Sequence, residues 1–223
     1  MAQIYPNHNQ EEYKLAQEKR TFLLHNNVVN YVLIAVLGIV AGLLTAFFSY
    51  FTYYDLWSFS SFSSMSLGFW VFTIAIIVLK SERWSVAGVN TSLYVFFLFF
   101  VNNLHKILRG YSPEFIDTAN LVEDLGNIIP YCLETAIFCG GLGIILYIGV
   151  IEKWYGKIMV MMPAIFIIIE AVIMYYMVFT KQMLLFQAIL DTVCVFLYIC
   201  IFRKLIFRRK NKNKENQHMY LVD

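Results

Sequence analysis

Glu170 stands near the middle of Ile158 to Thr180, an almost unbroken apolar run. A helix rises about 1.5 Å per residue, so this run reaches across the roughly 30 Å hydrocarbon core of a bilayer with Glu170 about halfway through. A carboxyl group at that depth costs upward of about 2.5 kcal/mol, and such groups face protein or water and mark binding sites or ion paths. Two further acids, Glu134 and Asp191, fall inside other apolar runs, each about 10 Å below one membrane boundary at helical rise. Carboxylates so placed suit the capture of a positively charged or hydrogen-bond-donating species. Other polar groups lie at related depths. Asn102, His105 and Arg109 follow a three-then-four spacing, which puts them on one helix face. Tyr131 precedes Glu134 by three, and Gln187, Asp191, Cys194 and Tyr198 form a polar stripe. We expect Glu134, Glu170, Asp191, Asn102, His105, Arg109, Tyr131 and Gln187 to converge as a substrate-binding cavity open to the outside. The alternative is architectural, with each group making a structural hydrogen bond and Arg109 pairing with Glu134.

Motifs of enzyme chemistry are missing. The chain holds no H-E-x-x-H, no G-x-S-x-G and no Walker loop, the signatures of zinc proteases, serine hydrolases and nucleotide hydrolases. His105 has no second histidine or cysteine nearby, as a zinc site would need. Cys132, Cys139, Cys194 and Cys200 all sit in apolar runs and match no zinc or redox spacing, so they read as small packing residues. Neither an enzyme nor a cofactor or metal site is expected, and transport would draw on an ion gradient or a partner for energy.

The elements that must position these groups are helices in a membrane. The 223 residues are 60% hydrophobic and only 14% charged, against about 25% charged in soluble proteins. Six apolar spans are expected: Val28 to about Tyr50, Met65 to Leu79, Val86 to Leu104, Ile128 to Ile151, Ile158 to Thr180 and Leu184 to Phe202. On alternate-side counting, Lys14, Lys19, Arg20, Lys80, Arg83, Lys153, Lys157 and the basic tail share one side, and only Lys106, Arg109 and Lys181 take the other. The positive-inside rule then places both termini in the cytoplasm. Residues 1–27 form a polar leader rather than a cleavable signal peptide, residues 28–207 the transmembrane domain, and residues 208–223 a basic tail unlikely to fold, suited to anionic lipid. Between spans three and four, Ser112-Pro113-Glu114 has the form of a helix start, with Phe115, Ala119 and Val122 on one face. It predicts a short external amphipathic helix, acidic through Glu114, Asp117, Glu123 and Asp124. That acidity reflects either the ordinary lack of positive charge outside or a lid that gathers cations.

Gly38, Gly42 and Ala46 recur every four residues in the first span, and Ala136 and Gly140 do so in the fourth. Such stripes let another backbone approach closely, within the bundle or on a separate membrane subunit. The triplets Glu82-Arg83-Trp84 and Glu152-Lys153-Trp154 open two cytoplasmic connections, through duplication, a shared partner or interfacial preference alone. With six spans, both ends inside, the Gly38-Gly42-Ala46 stripe and an outward polar pocket, the chain resembles the substrate-capture subunits of bacterial energy-coupling-factor transporters, and also other six-span bacterial membrane proteins of this layout. The resemblance implies capture of a small organic molecule, with a transmembrane coupling subunit and cytoplasmic ATPases as partners. The leading expectation is membrane-embedded binding or transport of a small cationic or donor-rich molecule. The other is a non-transporting accessory or regulatory protein of a membrane complex, and no nucleic-acid role is expected.

Overall fold

The computed structural model describes residues 24–51, 55–57, 67–110, 118–148 and 154–219, with the side chains of 110, 118–121, 154, 155, 157 and 204–219 outside the description. The described residues form six helices: α1 Val28–Phe48, α2 Leu67–Lys80, α3 Trp84–Gly110, α4 Thr118–Ile148, α5 Trp154–Lys181 and α6 Leu185–Met219. All but α2 are long and apolar enough to cross a membrane. The exposure pattern is that of a protein solvated by lipid. Val32, Leu33, Val36, Leu37, Val40 and Leu44 of α1 are exposed, while Asn90, Asn102, Gln187 and Asp191 are buried. This is an all-α, multi-pass membrane protein. Its second helix differs from the rest: 14 residues rise about 21 Å, short of the roughly 30 Å hydrocarbon core.

In lipid, helices gain nothing by hiding one apolar surface from another, so packing geometry and hydrogen bonds decide which of them associate. The first group is α1, α3 and α4. A Cβ added to Gly38 would stand 2.7 Å from the Tyr94 carbonyl oxygen, and one on Gly42 equally close to that of Leu98. The glycines are thus what lets α1 lie directly on α3. Gly140 and Gly143 of α4 admit Ser92 and Thr91 of α3 in the same way, and the Ser92 hydroxyl donates to the Ala136 carbonyl at 3.0 Å. Gly38, Gly42 and Ala46, expected as a candidate docking face for another subunit, are therefore buried against α3 of the same chain.

The second group is α5 and α6, and α2 lies between the two groups, touching α3, α4, α5 and α6. Its Phe72, Ala75 and Leu79 pack with Val160, Ala164 and Ile167 of α5 and Cys194 and Tyr198 of α6. Its Trp70 and Ile77 pack with Ile34 and Ala41 of α1 and Tyr94, Val95 and Leu98 of α3. Both ends of the bundle are tied. At one end Leu24 and Ser81 form a bridge, with Leu24 N–H donating to Lys80 and Glu82 N–H donating back to Leu24. Tyr147 at the end of α4 donates to the Glu82 carbonyl at 2.7 Å. At the other end the amides of Leu184 and Leu185 donate to the carbonyls of Asp55 and Leu56.

Two expectations change. The described part of the external helix, from Thr118 on, is the start of α4 rather than a separate element; Ser112 to Asp117 lie outside the described residues. The tail beyond Arg208 continues α6 to Met219, because lysine, arginine, glutamate and glutamine are good helix formers even without an apolar face. Residues 1–23 and the triplet at Glu152 lie outside the described residues.

Candidate functional site

The polar centre of the molecule forms where α5 and α6 meet the first turn of α2. Glu170 comes from mid-α5, and Gln187 and Asp191 come from one face of α6, four residues apart. All three are buried, Asp191 completely. Leu67, the first described residue of α2, donates its N–H to Glu170 Oε1 at 3.0 Å. The α5 carboxylate is thereby tied to the backbone of α2. Gln187 Nε2 bridges the two acids, 3.4 Å from both Glu170 Oε1 and Asp191 Oδ2.

The remaining oxygens, Glu170 Oε2 and Asp191 Oδ1, are buried without a closed hydrogen bond, although the Gly68 amide lies close to the Glu170 carboxylate. They converge on one point: a Cβ added to Gly68 would stand 2.6 Å from Asp191 Oδ1 and 2.9 Å from Glu170 Oε2. Glycine here is what makes room for the pair. No ion pair to either acid occurs among the described residues. Two like charges this close in a low-dielectric interior repel strongly, and buried charge is stable only when compensated. A proton shared between the acids or a small cation beside Gly68 would supply that compensation.

Compared with protein-family models, curated proteins and solved structures, the chain matches none. The site is therefore read from its own geometry.

The eight residues expected to converge fall into separate places. Glu170, Asp191 and Gln187 come together. Glu134 does not join them: it is exposed on α4, as is Tyr131, which meets Phe99 edge-on. The reason is helix phase. Cys132, Ala136 and Gly140 form the buried face of α4, and Glu134, two residues from Cys132, points roughly 200° away. Arg109 makes no ion pair with Glu134; its guanidinium lies over the Tyr50 ring, 4.3 Å from the centroid. His105 Nε2 is 2.7 Å from the hydroxyl of the same Tyr50, so both residues tie the end of α3 to the end of α1. Asn102 is buried apart from both groups, with Oδ1 unpartnered.

Leu67 and Gly68 were not among the expected site residues. Their contribution is a backbone amide and an absent side chain, and only the glycine at the start of a short apolar run hinted at it. A second buried polar patch was also unforeseen: Asn90 Nδ2 donates to Ser81 Oγ at 3.4 Å, beside Thr91. No group of histidines, cysteines and acids suited to a metal occurs among the described residues.

Proposed function

We propose that this chain is a six-span protein of the cell membrane, with both termini in the cytoplasm, that binds or transports a small cationic or hydrogen-bond-donating species at Glu170 and Asp191. The observation that carries this reading is the pair of buried carboxylate oxygens, neither in a closed hydrogen bond, converging beside Gly68. Among the expected charged ligands only these two acids meet, so the site is smaller than an eight-residue cavity and fits a proton, a monovalent ion or a single ammonium group. The orientation rests on the lysine and arginine count, and α2 is read as the sixth pass. A coupling subunit of the kind the resemblance implies would dock elsewhere than on Gly38, Gly42 and Ala46.

The test is thermal melting of detergent-purified protein against pH and against sodium, potassium and methylammonium. The parent is expected to be stabilised by one of these, and Glu170→Gln and Asp191→Asn to lose that response while melting close to the parent. The second reading, an accessory protein in which the acids serve architecture, is favoured by the Leu67 hydrogen bond to Glu170. It predicts no stabilisation of the parent by any of these cations, and that outcome would end the binding proposal.

A further inference from the structure

Between α4 and α5 lies a cavity of about 800 Å³ that the acid pair does not use. It exists because α4 packs along α3, α5 packs along α6 and α2, and α4 and α5 meet only briefly. Trp70 and Ile74 of α2 and Leu98 of α3 line it from within the bundle, and Leu142 of α4 and Phe166 of α5 line its sides. Leu142 and Phe166 are also partly exposed on the outer surface of the bundle, so the cavity opens sideways toward lipid. From Thr135 to Leu146, both on its wall, α4 rises about 16 Å, comparable to half the roughly 30 Å hydrocarbon core. The shape suits one extended hydrocarbon chain lying parallel to those of a leaflet.

One end of this slot is polar. Asn102 lines it, is 2% exposed, and its Oδ1 has no partner. The neighbouring Asn103 amide lies 3.9 Å from Cys132 Sγ, which fixes Asn102 at the Thr135 end. A buried amide oxygen without a partner is costly in hydrocarbon, where no water is at hand. No charged side chain lines the slot, so nothing there would pair with a carboxylate or phosphate headgroup.

We infer that this slot is a binding site for a single-chain amphiphile with a neutral, donor-bearing headgroup, such as a long-chain alcohol. It enters sideways from the bilayer and places its hydroxyl at Asn102. Met159 and Met162 on the wall are flexible side chains able to adapt to chains of different length. The inference does not depend on the acid pair.

The test uses the full chain in phosphatidylcholine nanodiscs, with a photoactivatable diazirine analogue of hexadecanol and the matching analogue of palmitate. Peptide mapping is expected to place the alcohol's crosslinks on Leu142, Phe166 and their neighbours, with several-fold competition by unlabelled hexadecanol and weaker labelling by the acid. Leu142→Trp, or Phe166→Trp should the first fail to fold, fills the slot and should abolish the competed labelling at an unchanged melting temperature. Asn102→Leu should weaken competition by the alcohol up to about tenfold, the worth of one buried hydrogen bond. Crosslinks scattered over the lipid-facing row of α1, or undiminished slot labelling in a folded tryptophan variant, would overturn the site. Equal labelling by alcohol and acid, unaltered by Asn102→Leu, would overturn the headgroup assignment.

Discussion

The two groups of helices solve one problem by different means. Without water to drive helices together, α1, α3 and α4 associate by removing side chains: Gly38, Gly42, Gly140 and Gly143 bring backbones and small hydroxyls into contact. The α2, α5 and α6 group instead associates around buried polar groups, with Glu170, Gln187 and Asp191 at one level and Tyr198 donating to the Val160 carbonyl at 2.6 Å at another. Close packing tolerates no added atom but needs no compensating ligand. Buried polar groups tolerate isosteric change, and where they are left unsatisfied they invite one. On this comparison the first group is held chiefly by close packing, although Asn90, Thr91 and Asn102 are buried in it, and the second is held around the acid pair.

The sharpest break of the scaffold side is Gly42→Leu. Its new side chain would meet the Leu98 carbonyl at 2.7 Å and Val101 Cβ at 2.8 Å, backbone and branch point rather than flexible ends. Overpacking of this kind costs about 1–3 kcal/mol and sometimes more, and the value here should fall at the upper end. Gly141→Leu is the control, since nothing lies within 4 Å of its added Cβ, and it should stay within about 0.5 kcal/mol of the parent. Unfolding titrations in detergent compare them, and equal losses would mean that α1 does not lie on α3 as described.

On the polar side, Glu170→Leu should cost about 1–3 kcal/mol more than Glu170→Gln. Leucine strands the Leu67 amide inside the bundle, whereas glutamine keeps an acceptor for it. If the two substitutions unfold alike, the carboxylate is not holding the Leu67 amide. A smaller change, Tyr198→Phe, removes one buried hydrogen bond to Val160 and should cost about 1 kcal/mol, with no effect on cation-dependent melting. Loss of that dependence in Tyr198→Phe would extend the site along α6 beyond Asp191.

These differences also mark what the sequence made legible. The helices and the buried stripe Gln187-Asp191-Cys194-Tyr198 follow from hydropathy and spacing, because both are properties of one helix. Which acids meet is a property of several helices at once. Even so, part of that answer was within reach: Ala136 and Gly140 already marked the packed face of α4, and Glu134 stands off that face by helix phase. The split of Asn102 from His105 and Arg109 was not legible, since residues sharing one helix face can meet different neighbours along its length. Nor was the bond from the Leu67 amide to Glu170, which joins residues 103 positions apart in sequence.

The smallest expected effect lies at the bundle end, where neither mode of association operates and water takes part. His25 Nδ1 approaches Glu82 Oε2 at 3.0 Å, and this hydrogen bond holds the Glu82 carboxyl below its ordinary value of 4.5. A carboxyl depressed on folding stabilises the protein above its unfolded pKa and loses that contribution as pH falls through the folded value. The tie between the leader and the α2–α3 turn should therefore be intact at pH 7 and weaken below about 4.5. Because His25 is well exposed, the effect should be a few tenths of a kcal/mol and shrink with salt. Amide exchange at Leu24 and Glu82, whose N–H groups form the bridge, reads it locally. Exchange should quicken in acid, beyond the intrinsic pH dependence, in the parent but not in Glu82→Gln, which is already loosened. An identical profile in the two proteins would mean that the backbone bridge alone holds the leader, leaving the His25–Glu82 hydrogen bond without a structural role.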